Sequence, residues 1–159
     1  MSQEDGPRVS MTLPHDPEIL SSIAIDAVVD DIAKVSIWMG ELEEEHDWPA
    51  PLRFGLELSV EEALANVITH AFEDGGSDPL IRVEYFRPAP ESVGMRILDN
   101  GPPFDPTAVD SPHLAEDVES ARIGGHGVRL MRHFLSHIGY VRRDGLNQLT
   151  LVAGPKAQD

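Results

Sequence analysis

Apolar residues along this chain follow two rhythms. In five short runs they alternate with small or polar residues, as on a strand with one buried face: SIAIDA (22–27), LIRVEYFR (80–87), VGMRILD (93–99), GYVRR (139–143) and NQLTLV (147–152). In three longer stretches they recur at steps of three and four, as on a helix. The first helix is predicted from a cap at Asp30 or Asp31 to about Glu45, with Val35, Ile37, Trp38 and Leu42 as its buried stripe. The second runs from about Pro51 to Glu73, where Leu56, Val60, Ala63 or Leu64, Val67 and Ala71 share a face, and DGGSDP ends it. The third runs from Val128 to about Ile138 through Leu130, Met131, Phe134 and Leu135. ELEEEHD, at the end of the first helix, crowds acids where the helix dipole prefers cations and is expected to fray.

The links decide the topology. PAPES joins the second and third strand runs, and DGL turns the last pair, so both pairs are antiparallel hairpins. Three helices with one apolar face each cover one side of such a sheet. The expected fold is α+β: a two-layer sandwich, a mostly antiparallel mixed sheet with about three helices on one face. Residues 1–20, with three prolines, read as a loose N-terminal arm; residues 21–153 form the domain, and 154–159 a short tail. No internal repeat is present.

Composition narrows the function classes. With 12 Lys and Arg against 28 Asp and Glu, the net charge of −16 repels phosphate backbones, so no direct nucleic-acid contact is expected. Any anionic ligand needs a local positive site. There is no cysteine, hence no disulfide or thiolate metal site, and no apolar run approaches the ~18 residues of a membrane span. The opening MSQEDGPRVS lacks the pattern of a signal peptide, and a cytoplasmic location is the expectation.

Three constellations carry candidate chemistry. In EEALANVITH, Glu62, Asn66 and His70 are spaced by four and share one helix flank within apolar surroundings. A mid-helix Asn is a weak helix former. It is either a satisfied polar residue or a hard amide oxygen for Mg²⁺, with Glu62 one turn earlier as base or orienter. LDNGPPF closes a strand on Asp99. It reads as a turn in which Gly101 supplies positive φ, or as a carboxylate that accepts a hydrogen bond from the adenine amine. In the second reading Gly101 lets the backbone approach the base and Phe104 packs near it. Finally, Gly124, Gly125, His126 and Gly127 precede the third helix. They are a loop needing conformational freedom, or a helix start whose amides face an anion. Arg122 is a surface arginine or a γ-phosphate contact.

In this order and setting, E-x-x-x-N on a helix, D-x-G-x-P-F after a strand, a long loop and a G-x-G helix start resemble the motif boxes of the GHKL ATPase superfamily. That superfamily has the Bergerat nucleotide-binding fold. SVEEALANVITHAF and DNGPPFDP look like the forms found in bacterial anti-sigma-factor serine/threonine kinases. The resemblance implies an ATP-dependent kinase that binds a sigma factor and phosphorylates an anti-sigma-factor antagonist. It makes Glu62 the catalytic base, Asn66 the Mg²⁺ ligand, Asp99 the adenine reader and Gly101 part of the base pocket. Gly125 and Gly127 become phosphate-loop positions, and residues 105–123 the ATP lid. The third box departs from the usual pattern at His126 and Val128, which still fall at nucleotide-contacting positions. A homodimer is compatible with the family.

A module in which ATP tunes partner binding without transfer would use the same pocket. A histidine-kinase catalytic fragment would need a phosphoacceptor histidine on a dimerising hairpin, and only one helix precedes the long one.

Overall fold

The computed structural model describes residues 17–71, 78–108 and 127–155. Five strands, β1 (Ser21–Ile25), β2 (Ile81–Phe86), β3 (Val93–Asp99), β4 (His137–Arg143) and β5 (Leu146–Ala153), form one sheet in the order β1-β2-β3-β5-β4. Every pairing is antiparallel, so the sheet expected to be mostly antiparallel is wholly so among the described strands. Three helices, α1 (Ile32–His46), α2 (Leu52–Asn66) and α3 (Gly127–Phe134), supply the second layer.

Alternation along the strands builds the core. Val83, Tyr85, Met95, Ile97 and Leu151 are fully buried on the helix-facing side, against Val35 and Met39 of α1, Leu56, Val60 and Leu64 of α2, and Met131 of α3. Burying each large apolar side chain among these contributes about 1.5–3 kcal/mol. Helices α2 and α3 approach closely at Gly55: a Cβ there would lie 2.6 Å from Cβ of Phe134. Glycine is thus required by proximity.

Several local expectations are corrected. Asp31 stands at the N-cap of α1 without making a cap bond, and Asp30 lies in a 3₁₀ turn, Val29–Asp31, ahead of it. Asp31 Oδ2 instead accepts the backbone N–H of Asp26 at 2.9 Å, an alternative partner that the short turn brings within reach. Ile37 is 65% exposed, and Met39 takes the buried place beside Trp38. The acidic end of α1 remains helical to His46 and stops at Asp47, whose φ of 55° makes a left-handed cap. The cation it lacked comes from α2, where Arg53 donates to Glu43 at 2.7 Å.

Helix α2 widens after Asn66 into a π turn, Val67–Ala71; the expected end at Glu73 lies outside the described residues. Helix α3 ends at Phe134, four residues short of Ile138. The N–H of Leu135 makes the last helical bond to Met131, and the next N–H, of Ser136, turns to Val152 O at 2.8 Å, drawing the chain into β4. Ile138 is therefore a strand residue paired with Leu151. The β4–β5 hairpin turns on Asp144 and Gly145, both at positive φ (56° and 78°), the twist that a two-residue hairpin favours.

Candidate functional site

The sheet register sets one end of the inner face. Asp99, the last residue of β3, is paired with Asn147 of β5, which is itself opposite Arg142 of β4. The C-terminal turn of α2 lies across this end. Between them is a cleft lined by Asn66, Ile97, Asp99, Phe104, Tyr140 and Asn147 among others. Two residues far apart in sequence, Asn66 and Asp99, thus share one cleft, as the sequence reading required.

LDNGPPF divides its labour. Asn100 points back to the start of β2: its Oδ1 accepts from the Leu80 N–H at 2.8 Å and its Nδ2 donates to Asp78 O at 2.9 Å. Asp99 is buried, and its Oδ1 accepts the Gly101 N–H at 2.8 Å and Asn147 Nδ2 at 3.0 Å. The hydrogen bonds described for Asp99 all end on Oδ1, which leaves Oδ2 as the oxygen offered to the cleft. Gly101 is buried and does not adopt a positive φ, so that part of the turn expectation is corrected. The Asx-type bond from Asp99 holds the turn instead, and Arg142 Nη1 donates to Gly101 O at 2.7 Å. Phe104 is 44% exposed and lines the cleft.

Asn66 reaches the cleft from the last α-helical turn, and its amide makes no hydrogen bond among the described residues. A half-buried amide that shares a cleft with an acceptor carboxylate fits a nucleotide with its metal. No cluster of three or more His, Cys, Asp or Glu side chains suited to a metal occurs among the described residues, so Mg²⁺ here would depend on phosphate oxygens and water. Glu62 stands one turn before Asn66, half-buried, and is not part of the described cleft lining. His70 lies on the π turn, is exposed and is not part of the described cleft lining.

Gly127 and Val128 open α3, as expected of the third constellation. Arg122, Gly125 and His126 lie outside the described residues, as does the part beyond 108 of the segment that is expected to form the lid. The first residues of that segment are anchored. Asp105 Oδ1 accepts the Thr107 N–H at 2.9 Å and its hydroxyl at 2.5 Å, capping the 3₁₀ turn Pro106–Ala108, and Arg132 of α3 donates to Thr107 O at 3.0 Å.

Behind Glu62, α2 carries a carboxyl pair. Burial would raise Glu57, but hydrogen bonds from Ser36 and Arg53 and the Arg53 charge outweigh it and hold its carboxyl below the usual range. Glu61 is pushed up, first by burial and then by the Glu57 charge.

Asn147 was not among the residues singled out from sequence. It read as one polar residue in an ordinary strand, yet its amide bonds Asp99, Pro102 O, the Phe104 N–H and the Tyr140 hydroxyl.

Residues 25–153 match the histidine kinase-like ATPase domain family. The chain is 43% identical over 116 residues to the serine/threonine-protein kinase BtrW of Bordetella bronchiseptica, covering 73% of this chain and 80% of that one. It is 31% identical over 96 residues to the serine-protein kinase RsbW of Listeria monocytogenes, covering 58% and 60% of the two. In architecture it resembles the histidine kinase domain of a blue-light-activated histidine kinase from Erythrobacter litoralis, with a TM-score of 0.50 and 12% identity over 91% of this chain and 66% of that one, a likeness of fold alone. The chain belongs to the histidine kinase-like ATPase domain family, alongside serine/threonine-protein kinases.

Proposed function

We propose that this protein is an ATP-dependent serine/threonine kinase of a partner-switching system: it binds a sigma factor and phosphorylates the antagonist protein that competes for it. The observation that carries the nucleotide part is the pairing of two groups across one cleft. Asp99, with Oδ1 occupied, has Oδ2 for an adenine amine, and the Asn66 amide makes no hydrogen bond among the described residues. Mg-ATP, when bound, supplies the transferable phosphoryl group with its charge partly neutralised.

The remaining roles belong to the chain. Asp99 accepts from the base, and Gly101 keeps the wall close to it. Phe104 covers the base from the lid side. The amides that open α3 at Gly127 and Val128, preceded by Gly125 and His126, face the phosphates, with Arg122 as a further cation. Asn66 offers its oxygen to Mg²⁺. Glu62 takes the proton from a Ser or Thr hydroxyl of the antagonist. No helix among the described residues is long and apolar enough to cross a membrane, which suits a cytoplasmic setting. A homodimer is consistent with the exposed apolar positions Ile37 and Phe54.

The test is transfer from labelled ATP to candidate antagonist proteins. Wild type should yield a phosphoprotein, and Glu62→Gln should bind ATP normally while losing transfer by about a hundredfold or more. Equal transfer by Glu62→Gln would remove its assigned role. ATP-sensitive partner binding with no transfer to any antagonist would replace the kinase by a nucleotide-tuned binding module.

A further inference from the structure

We infer that Asn147 is a positioning residue for purine selection, fixing the orientation of the Asp99 carboxylate and joining it to the turn that follows β3. This rests on the reading of Asp99 as the adenine contact. A primary amide has two N–H donors and an oxygen with two lone pairs. All four places are used at Asn147, which is only 4% exposed. Nδ2 lies 3.0 Å from Asp99 Oδ1 and 2.9 Å from Pro102 O, with Gly101 O farther off at 3.5 Å. Oδ1 lies 2.5 Å from the Tyr140 hydroxyl and 3.2 Å from the Phe104 nitrogen.

Two of these partners are backbone groups that cannot change role. Pro102 O only accepts, and the Phe104 N–H only donates. Turning the amide over would oppose oxygen to Pro102 O and NH₂ to the Phe104 N–H, so its orientation is determined by chemistry. The donor end therefore faces Asp99. Together with the Gly101 N–H it holds Oδ1 in place, and Oδ2 of the carboxylate, itself an acceptor, is left for the cleft. An acceptor there matches the exocyclic amine of adenine and opposes the carbonyl oxygen of guanine. Tyr140, donating to the opposite end of the amide, reinforces this orientation from β4.

The test compares Mg-ATP with Mg-purine riboside triphosphate, which lacks the 6-amine, by calorimetric titration of wild type, Asn147→Ala and Tyr140→Phe. Deleting the amine should weaken wild-type binding about tenfold or more, Asn147→Ala less than about threefold, and Tyr140→Phe by an intermediate factor. A merely structural role would weaken both ligands equally and leave the ratio untouched. A folded Asn147→Ala protein that keeps the wild-type ratio would overturn the inference. If Asn147→Ala fails to fold, Tyr140→Phe decides by the same ratio, and an unchanged ratio there counts against it. Wild type that binds both ligands equally would instead bring down the adenine reading of Asp99 itself, and the inference with it.

Discussion

At the residue scale, Asp99 and Asn100 are neighbours with opposite assignments, and the contrast can be measured. Asn100 ties the β3 exit to the approach to β2 through Leu80 and Asp78 and does not line the cleft. Asn100→Ala should therefore lower stability by about 1–2 kcal/mol in denaturant titration while leaving nucleotide preference unchanged. A loss of ATP selectivity in that variant would move the recognition role away from Asp99. Asp99 was legible in the sequence because an acid at a strand terminus has no packing reason to be there. Asn147 was not, because a single polar residue is unremarkable in NQLTLV. The signal that could have found it is register: Asn147 shares its face with Leu149 and Leu151, so a poor strand former stands on the core side and needs partners.

At the scale of elements, α2 carries Glu62 and Asn66 and also the least comfortable charge. Glu61 has its carboxyl pushed up by burial and by Glu57. Below the ordinary value of 4.5 it is protonated in both folded and unfolded chains and costs nothing. As pH rises through that value and on through the raised folded one, the unfolded chain ionises more readily, and stability is lost. Glu57 has the reverse sign: its lowered value stabilises the fold above 4.5, and that contribution fades as the pH falls through the folded value. Glu61→Gln should accordingly raise Tm near pH ~7 by roughly 1–3 °C, and the gain should shrink below about pH 4.5. A gain that persists undiminished in acid would contradict this origin. Helix existence was legible from periodicity, and the buried face of α2 was read correctly at Leu56, Val60, Ala63 and Leu64. The ends were not, because they depend on tertiary partners: Val152 draws Ser136 out of α3, and Arg53 retains the acidic turn of α1.

At the scale of the molecule, the two-layer α+β architecture followed from hairpin links and three one-sided helices, but the strand order did not. A hairpin can dock by either strand. β5 takes the interior place and is buried on both faces, with Gln148 and Val152 as well as Leu149 and Leu151 covered, whereas β4 exposes Val141 and Arg142 and suits an edge. The net charge of −16 acts on the whole fold. Screening that self-repulsion should raise Tm when salt goes from about 20 mM to about 200 mM, and a fall in Tm would show that specific ion pairs outweigh it. The central claim, that the cleft between Asn66 and Asp99 is a Mg-ATP site selective for adenine, is tested most directly by calorimetric titration of wild type and Asp99→Asn with Mg-ATP and Mg-GTP. Wild type should bind ATP at least about tenfold more tightly than GTP, and Asp99→Asn should lose most of that preference together with ATP affinity. Absence of ATP binding, or GTP bound as tightly as ATP by wild type, would contradict it.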